Sequence, residues 1–164
     1  MTEAKKPRVY LAGPDVFFEN PVAIGQRLKA VCQAHGLEGV FPLDAAPAPR
    51  ALKPQGVARH IFDGNCKLIQ SCDGVLANLQ PFRGPSADCG TVWEVGYAHG
   101  LGKPCVGYTS DPRPYATRAQ GLDEHMVESF ALFDNLMVAC SCRATRTVDE
   151  AAAWLAAVLR GQRP

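Results

Sequence analysis

Charge of one sign is missing from this chain. Seventeen Lys and Arg face sixteen Asp and Glu, a formal net charge of +1 with His neutral. That balance leaves no electrostatic footprint for a nucleic-acid polymer or an anionic membrane, so any nucleic-acid chemistry points to a monomeric substrate. Long apolar runs are missing as well. No stretch reaches the roughly 18 apolar residues of a membrane span, and MTEAKKPRVYLAG lacks the apolar core of a secretory signal. A cytoplasmic protein that binds no membrane is the expectation. His35, His60, His99 and His125 show no mutual spacing of a triad or a metal site. Cysteine is present but odd in number, seven residues, most of them in apolar runs such as IQSCDGVLANL and KPCVGY. This predicts buried, reduced thiols rather than a disulfide framework. Cys140-Ser-Cys142 is the nearest thing to a metal pair. It has no second pair and no nearby His, whereas structural zinc takes four ligands, so no metal is expected.

What is there is a globular composition, 47% hydrophobic and 20% charged over 164 residues. That length suits one compact domain spanning 1–164 and is too short for two ordinary ones. Apolar strands alternate with helical patterns. VYLAG, residues 9–13, reads as a buried strand ended by Gly-Pro, and residues 21–35 as a helix closed by Gly36. Residues 39–41 form a short strand. Residues 42–54 hold four of the thirteen prolines and read as an irregular loop. A helix is predicted over 55–71, a strand over 74–79, a loop over 80–90, a helix over 91–101 and a strand over 105–108. Residues 110–121, with Pro112 and Pro114, read as loop. The last strand is placed at 136–140 and the last helix at 147–160, which opens on the capping pattern TVDE. Strand–helix alternation with near-continuous apolar strands implies an α/β fold, a parallel sheet with helices on both faces. Ligands in such sheets bind beyond the carboxyl ends of the strands, at a switch in strand order.

The segment PFRGPSADCGTVWEVGYAHG, residues 81–100, carries the chemistry. Asp88 stands in the loop and Glu94 one turn into the following helix. Glu94 has Val92, Trp93, Val95 and Tyr97 around it, unusual company for an exposed helix carboxylate. From these residues alone it is either a salt-bridged or capping Glu, or a carboxylate in a partly dry pocket able to attack a glycosidic carbon. Asp88 is an N-terminal cap, an acceptor for a sugar hydroxyl, or both. Tyr10 is core or site. Asp73 reads as structural, and Arg83 as solvent-facing or ion-paired. Cys89 has no His placed to activate it as a nucleophile.

Three blocks, VYLAGPDVFF, NCKLIQSCDGVLANLQPFRGPSADCGTVWEVGYAHG and SFALFDNLMV, resemble the nucleoside 2-deoxyribosyltransferases, with the closest likeness to the purine-preferring branch. They lie in that family's order and span nearly the whole chain. The resemblance implies a five-stranded Rossmann-like or flavodoxin-like sheet. It also implies a transferase of nucleotide salvage, acting on 2′-deoxynucleosides and free nucleobases without metal or organic cofactor. By position, Glu94 matches the nucleophile that forms a covalent deoxyribosyl-enzyme, Tyr10 the residue that positions it, and Asp88 the acceptor for the sugar hydroxyl. Asn65 matches the contact to the base edge. Asn135 and Met137 match residues that a neighbouring subunit inserts into the site, which implies a homo-oligomer, a dimer-based hexamer. Gly13 lets the loop backbone approach the ligand, and Phe17 stacks on the base.

Two other readings share these residues. One is a deoxynucleoside N-glycosidase in which water replaces the acceptor base. The other is a non-catalytic nucleotide-sensing domain. Asp15, in the loop after the first strand, is expected to repel a phosphate and so to favour free nucleosides.

Overall fold

The computed structural model describes residues 5–111, 113–122 and 125–162. The first residues of the segment read for a signal sequence, Pro112 and the last two residues lie outside that range. In chain order the elements are β1 (Arg8–Ala12), α1 (Pro21–Ala34), β2 (Glu38–Val40), α2 (Pro54–Ser71), β3 (Gly74–Asn78), α3 (Cys89–Gly100), β4 (Cys105–Tyr108), α4 (Tyr115–Ala119), α5 (Leu136–Ala139), β5 (Arg143–Thr145) and α6 (Val148–Leu159). Single 3-10 turns follow β1 at Pro14–Phe17 and β2 at Pro42–Asp44. The expected α/β architecture is present: five parallel strands in the order β2-β1-β3-β4-β5.

Pleating sorts the side chains of each strand onto two helical layers. Val9 and Leu11 of β1 face α1 and α6, packing with Cys32, Ala151, Ala152 and Leu155. Tyr10 and Ala12 face the other way, with Ile69 of α2, Val95 and Ala98 of α3 and Val138 of α5. This alternation sends Tyr10 toward the helix that carries Glu94. The strand order reverses between β1, which leads outward to β2, and β3, which leads to β4 and β5. A crevice opens at such a switch point beyond the strand ends.

Two expectations about the last third of the chain fail. Leu136–Ala139 is a helix with Cys140 as its C-cap, not a strand: Asn135 caps α5, its side-chain oxygen accepting from the Met137 backbone N–H at 3.0 Å. A short apolar run fits either state, and here the Asx cap decides it. The fifth strand is Arg143–Thr145, an edge strand with one exposed and two half-buried residues and no apolar signal. The loop at 110–121 also contains α4. At the last helix, Thr147 accepts from the Glu150 N–H at 3.2 Å, while the Glu150 carboxylate accepts from the Arg146 N–H, one residue earlier than a capping box requires.

All seven cysteines are free, but only Cys32, Cys72 and Cys105 are buried; Cys89 and Cys140 are exposed. Among the described residues no helix is long and apolar enough to cross a membrane.

Candidate active site

Helix α3 buries a stripe formed by Thr91, Val95 and Ala98. Glu94 sits on that stripe, three residues after Thr91 and four before Ala98, where an amphipathic helix normally places an apolar side chain. The hydroxyl of Tyr10, reaching across from β1, donates to Glu94 Oε1 at 2.6 Å. Asn65 of α2 approaches the same oxygen with Nδ2 at 3.4 Å. Burial pushes the Glu94 carboxyl up to about 7; the Tyr10 hydrogen bond pulls it down and the charge of Asp88 adds to the rise. The Tyr10 phenol is raised by burial first and by Glu94 second, so it stays a donor. A carboxylate poised near neutrality in a partly dry cleft is the state expected of a reacting group.

Asp88 is the N-cap of α3. Its Oδ2 accepts from the Thr91 backbone N–H at 3.0 Å and from the Thr91 hydroxyl at 3.1 Å. Glu94, Asp88, Asn65, Thr91, Gly13 and Phe17 line one cavity of about 850 Å³. Asn65 Oδ1 is buried and has no partner in the protein, a group left for a ligand donor. Phe17 is 60% exposed and stacks on Phe82 at 5.9 Å between ring centroids, with the Arg83 guanidinium 4.8 Å from the Phe82 ring. Arg83 is exposed, the solvent-facing placement read for it. It sits in the left-handed region at φ 55 and holds the aromatic pair by cation–π contact.

One sequence reading, that of Asp15, changes. Gly13 lines the cavity, and the chain itself also needs a glycine there. Its φ of 166 is extended backbone, but a Cβ there would fall 2.9 Å from Asn78 Cβ and collide with the Asp15 carboxylate. Asp15 does not guard the cavity against phosphate. It is buried, both its oxygens accept from Asn78 Nδ2 at 3.1 and 3.2 Å, and burial raises its carboxyl. Asn135 and Met137 lie apart from the lining of this cavity. Asn135 caps α5 and donates to Glu128 at 2.9 Å; Met137, placed in a helix rather than a strand, is 72% exposed. Asp73 accepts from the Arg8 N–H at 2.7 Å, the structural role read for it.

The sequence reading missed one wall. Pro42, Leu43, Ala45, Ala46, Pro47 and Ala48 of the proline-rich segment, with Val57 and Ile61 of α2, complete the lining. The signal on α2 was there, since Val57, Ile61 and Asn65 recur every fourth residue and share a face. The proline-rich segment has no periodicity to read. Among the described residues lining the cavity none is Lys or Arg.

A family model, nucleoside 2-deoxyribosyltransferase, matches residues 9–137. A solved 2-desoxiribosyltransferase from Leishmania mexicana is similar at 31% identity and a TM-score of 0.78, covering 92% of this chain and 97% of that one. A 2-deoxyribosyltransferase from Bacillus psychrosaccharolyticus shares the fold at 19% identity and a TM-score of 0.60, covering 87% and 88%. A curated Schizosaccharomyces pombe protein described as uncharacterized is 37% identical over 118 residues, 71% of this chain and 56% of its own length. The chain therefore spans little more than half of that relative.

Proposed function

The chain belongs to the nucleoside 2-deoxyribosyltransferase family, and from that premise we propose that it moves 2-deoxyribose between nucleobases, purines by preference, through a covalent ester on Glu94. The observation that carries the reading is the Tyr10–Glu94 pair, 2.6 Å apart on the wall of a cavity at the switch point of the sheet. The ionised Glu94 attacks C1′ of a deoxynucleoside. The bond from C1′ to the base nitrogen breaks, and its electron pair leaves with the base, which takes up a proton. The acceptor base then attacks C1′ from the side the first base left, giving up its ring N–H proton and expelling the Glu94 carboxylate. Two inversions retain configuration.

Each neighbour has a task in this cycle. Tyr10 donates to Oε1 and so orients the carboxylate for attack. Asp88, fixed by its cap on Thr91, accepts from a sugar hydroxyl. Asn65 offers its unpartnered oxygen to a donor on the base edge, and the exposed face of Phe17 stacks on the ring. With no Lys or Arg among the described residues of the lining, the cavity suits free deoxynucleosides better than their phosphates. Asn135 and Met137 serve a neighbouring subunit's cavity, which makes the working form a homo-oligomer.

The test is to mix the protein with deoxyinosine and adenine and separate the products. Deoxyadenosine plus hypoxanthine is the predicted outcome. Free deoxyribose formed at the same rate without adenine would make the protein a hydrolase, and no turnover of any deoxynucleoside would sink both.

A further inference from the structure

The cavity is apolar well beyond the reach of an unsubstituted nucleobase. Val57, Ile61 and Asn65 form one stripe on α2, and at 1.5 Å per residue Ile61 stands about 6 Å and Val57 about 12 Å along the axis from Asn65. Asn65 touches the Glu94 carboxylate, so the stripe starts at the reacting end and runs past the length of a purine ring system. The charged lining residues, Asp88 and Glu94, belong to the reacting end. The remaining wall comes from the segment after β2, where Leu43 is 51% exposed, facing Ile61 of α2 at 52%. Large apolar side chains left bare inside a cleft favour an apolar occupant.

That wall is fixed in place. Lys29 pairs with Asp44 at 2.6 Å, and the other Asp44 oxygen accepts from the Phe41 N–H at 2.9 Å. His60 Nε2 donates to the Ala46 carbonyl oxygen at 2.9 Å, tying the proline-rich segment to α2. Prolines in the segment limit its freedom further.

Resting on the reading of this cavity as the deoxyribosyl-transfer site, we propose that it has a subsite for an apolar substituent on the purine edge remote from the glycosidic nitrogen. Purines carrying a benzyl-sized group on the C6 amino nitrogen are then better ligands and acceptors than adenine. Val57, Ile61 and Leu43 bury the group. A polar base edge gains nothing from these side chains, whereas an aromatic ring removed from water by them does.

Calorimetry with adenine and N6-benzyladenine on the full chain tests this. The benzyl compound should bind at least about tenfold tighter. Ile61→Asp, at a half-exposed helix position that tolerates the change, should bring the ratio of the two affinities close to one. Equal or weaker binding of N6-benzyladenine overturns the subsite, as it would if a second copy of the chain sat on this wall. A tenfold ratio that survives both Ile61→Asp and Leu43→Asp overturns it too. Transfer from deoxyinosine to each base is followed alongside. Transfer to adenine without a benzyl advantage in binding rejects the subsite alone. A benzyl advantage in binding with no transfer to either base rejects the transferase reading and leaves the subsite standing.

Discussion

Glu94 is held between two demands, and its pH behaviour exposes them. Burial disfavours its charge, while Tyr10 favours it, leaving the carboxyl at about 7. If the charged form attacks C1′, kcat/KM for a deoxynucleoside rises with pH through about 7 and levels off above it. Tyr10→Phe removes the hydrogen bond that lowers the value, so the rise moves to higher pH and the plateau falls about tenfold to a hundredfold. A merely structural Tyr10 would lower activity without moving the midpoint. The same shift has a consequence for stability. The ordinary value for Glu is 4.5, so below it both folded and unfolded states are protonated and burial costs little. As pH climbs from there through about 7, the folded state comes to hold a buried charge and loses stability. Glu94→Gln escapes this. It should be more stable than the parent at pH 8 by about 1–3 kcal/mol, seen as a rise in Tm of several degrees, with the difference vanishing near pH 4. Equal melting curves at pH 8 would contradict the burial argument. The apolar company of Glu94 marks it in the sequence, yet nothing there reveals that Asp15 is buried against Asn78, that Gly13 has no room for a Cβ, or that Arg83 lies over an aromatic pair. Their roles depend on contacts with Asn78, Phe17 and Phe82 across the fold, which spacing along the chain does not encode.

The elements show where local pattern suffices. β1, β3 and β4 are near-continuous apolar runs because both faces of a central parallel strand are covered, and α3 and α6 announce themselves by Asp88 and Thr147 at their starts. β5 is an edge strand of Arg-Ala-Thr, so nothing in its residues separates it from a loop. Leu136–Ala139 looked like the missing strand because four apolar residues carry no period. The segment 42–54 was legible as irregular but not as a wall of the site, since its anchors Lys29 and His60 are separate from it along the chain. One buried ion pair ties several of these loops together. Arg118 of α4 lies 3.7 Å from Asp134, and both side chains are almost wholly buried. Arg118 also donates to the carbonyl oxygens of Pro85 and Phe133 at 2.8 and 2.7 Å, and Asp134 accepts from the Ala87 N–H at 3.0 Å. Ala87 precedes the capping Asp88. Asp134→Ala leaves a buried guanidinium unpaired, which costs about 3–5 kcal/mol. The urea midpoint should fall accordingly, and kcat/KM with it as the loop carrying Asp88 loosens. A change within experimental error would show that the pair is solvated and carries no load.

At the scale of the whole molecule, the sheet order places β1 and β3 side by side at its centre, so Tyr10, Gly13 and Asn78 converge at one crevice although Asn78 lies far along the chain from the other two. The surface bearing α5 is a separate matter. Met137 is 72% exposed and Phe130 62%, and neither lines the cavity of its own chain. If these residues complete a neighbour's site, Met137→Asp should yield smaller species in sedimentation and at least about a tenfold loss of kcat. Full activity in a monomeric Met137→Asp variant would show that each chain works alone. Whether or not the sites are shared, the proposed cycle turns on one bond, between Glu94 and C1′. Quenching the protein in acid during turnover of deoxyinosine, then mapping its peptides by mass spectrometry, looks for that bond directly. A single deoxyribosyl group is expected on Glu94, lost when free adenine is added before the quench and absent from Glu94→Ala. An adduct on another residue, or transfer that proceeds with inverted configuration at C1′ and no adduct, would contradict it.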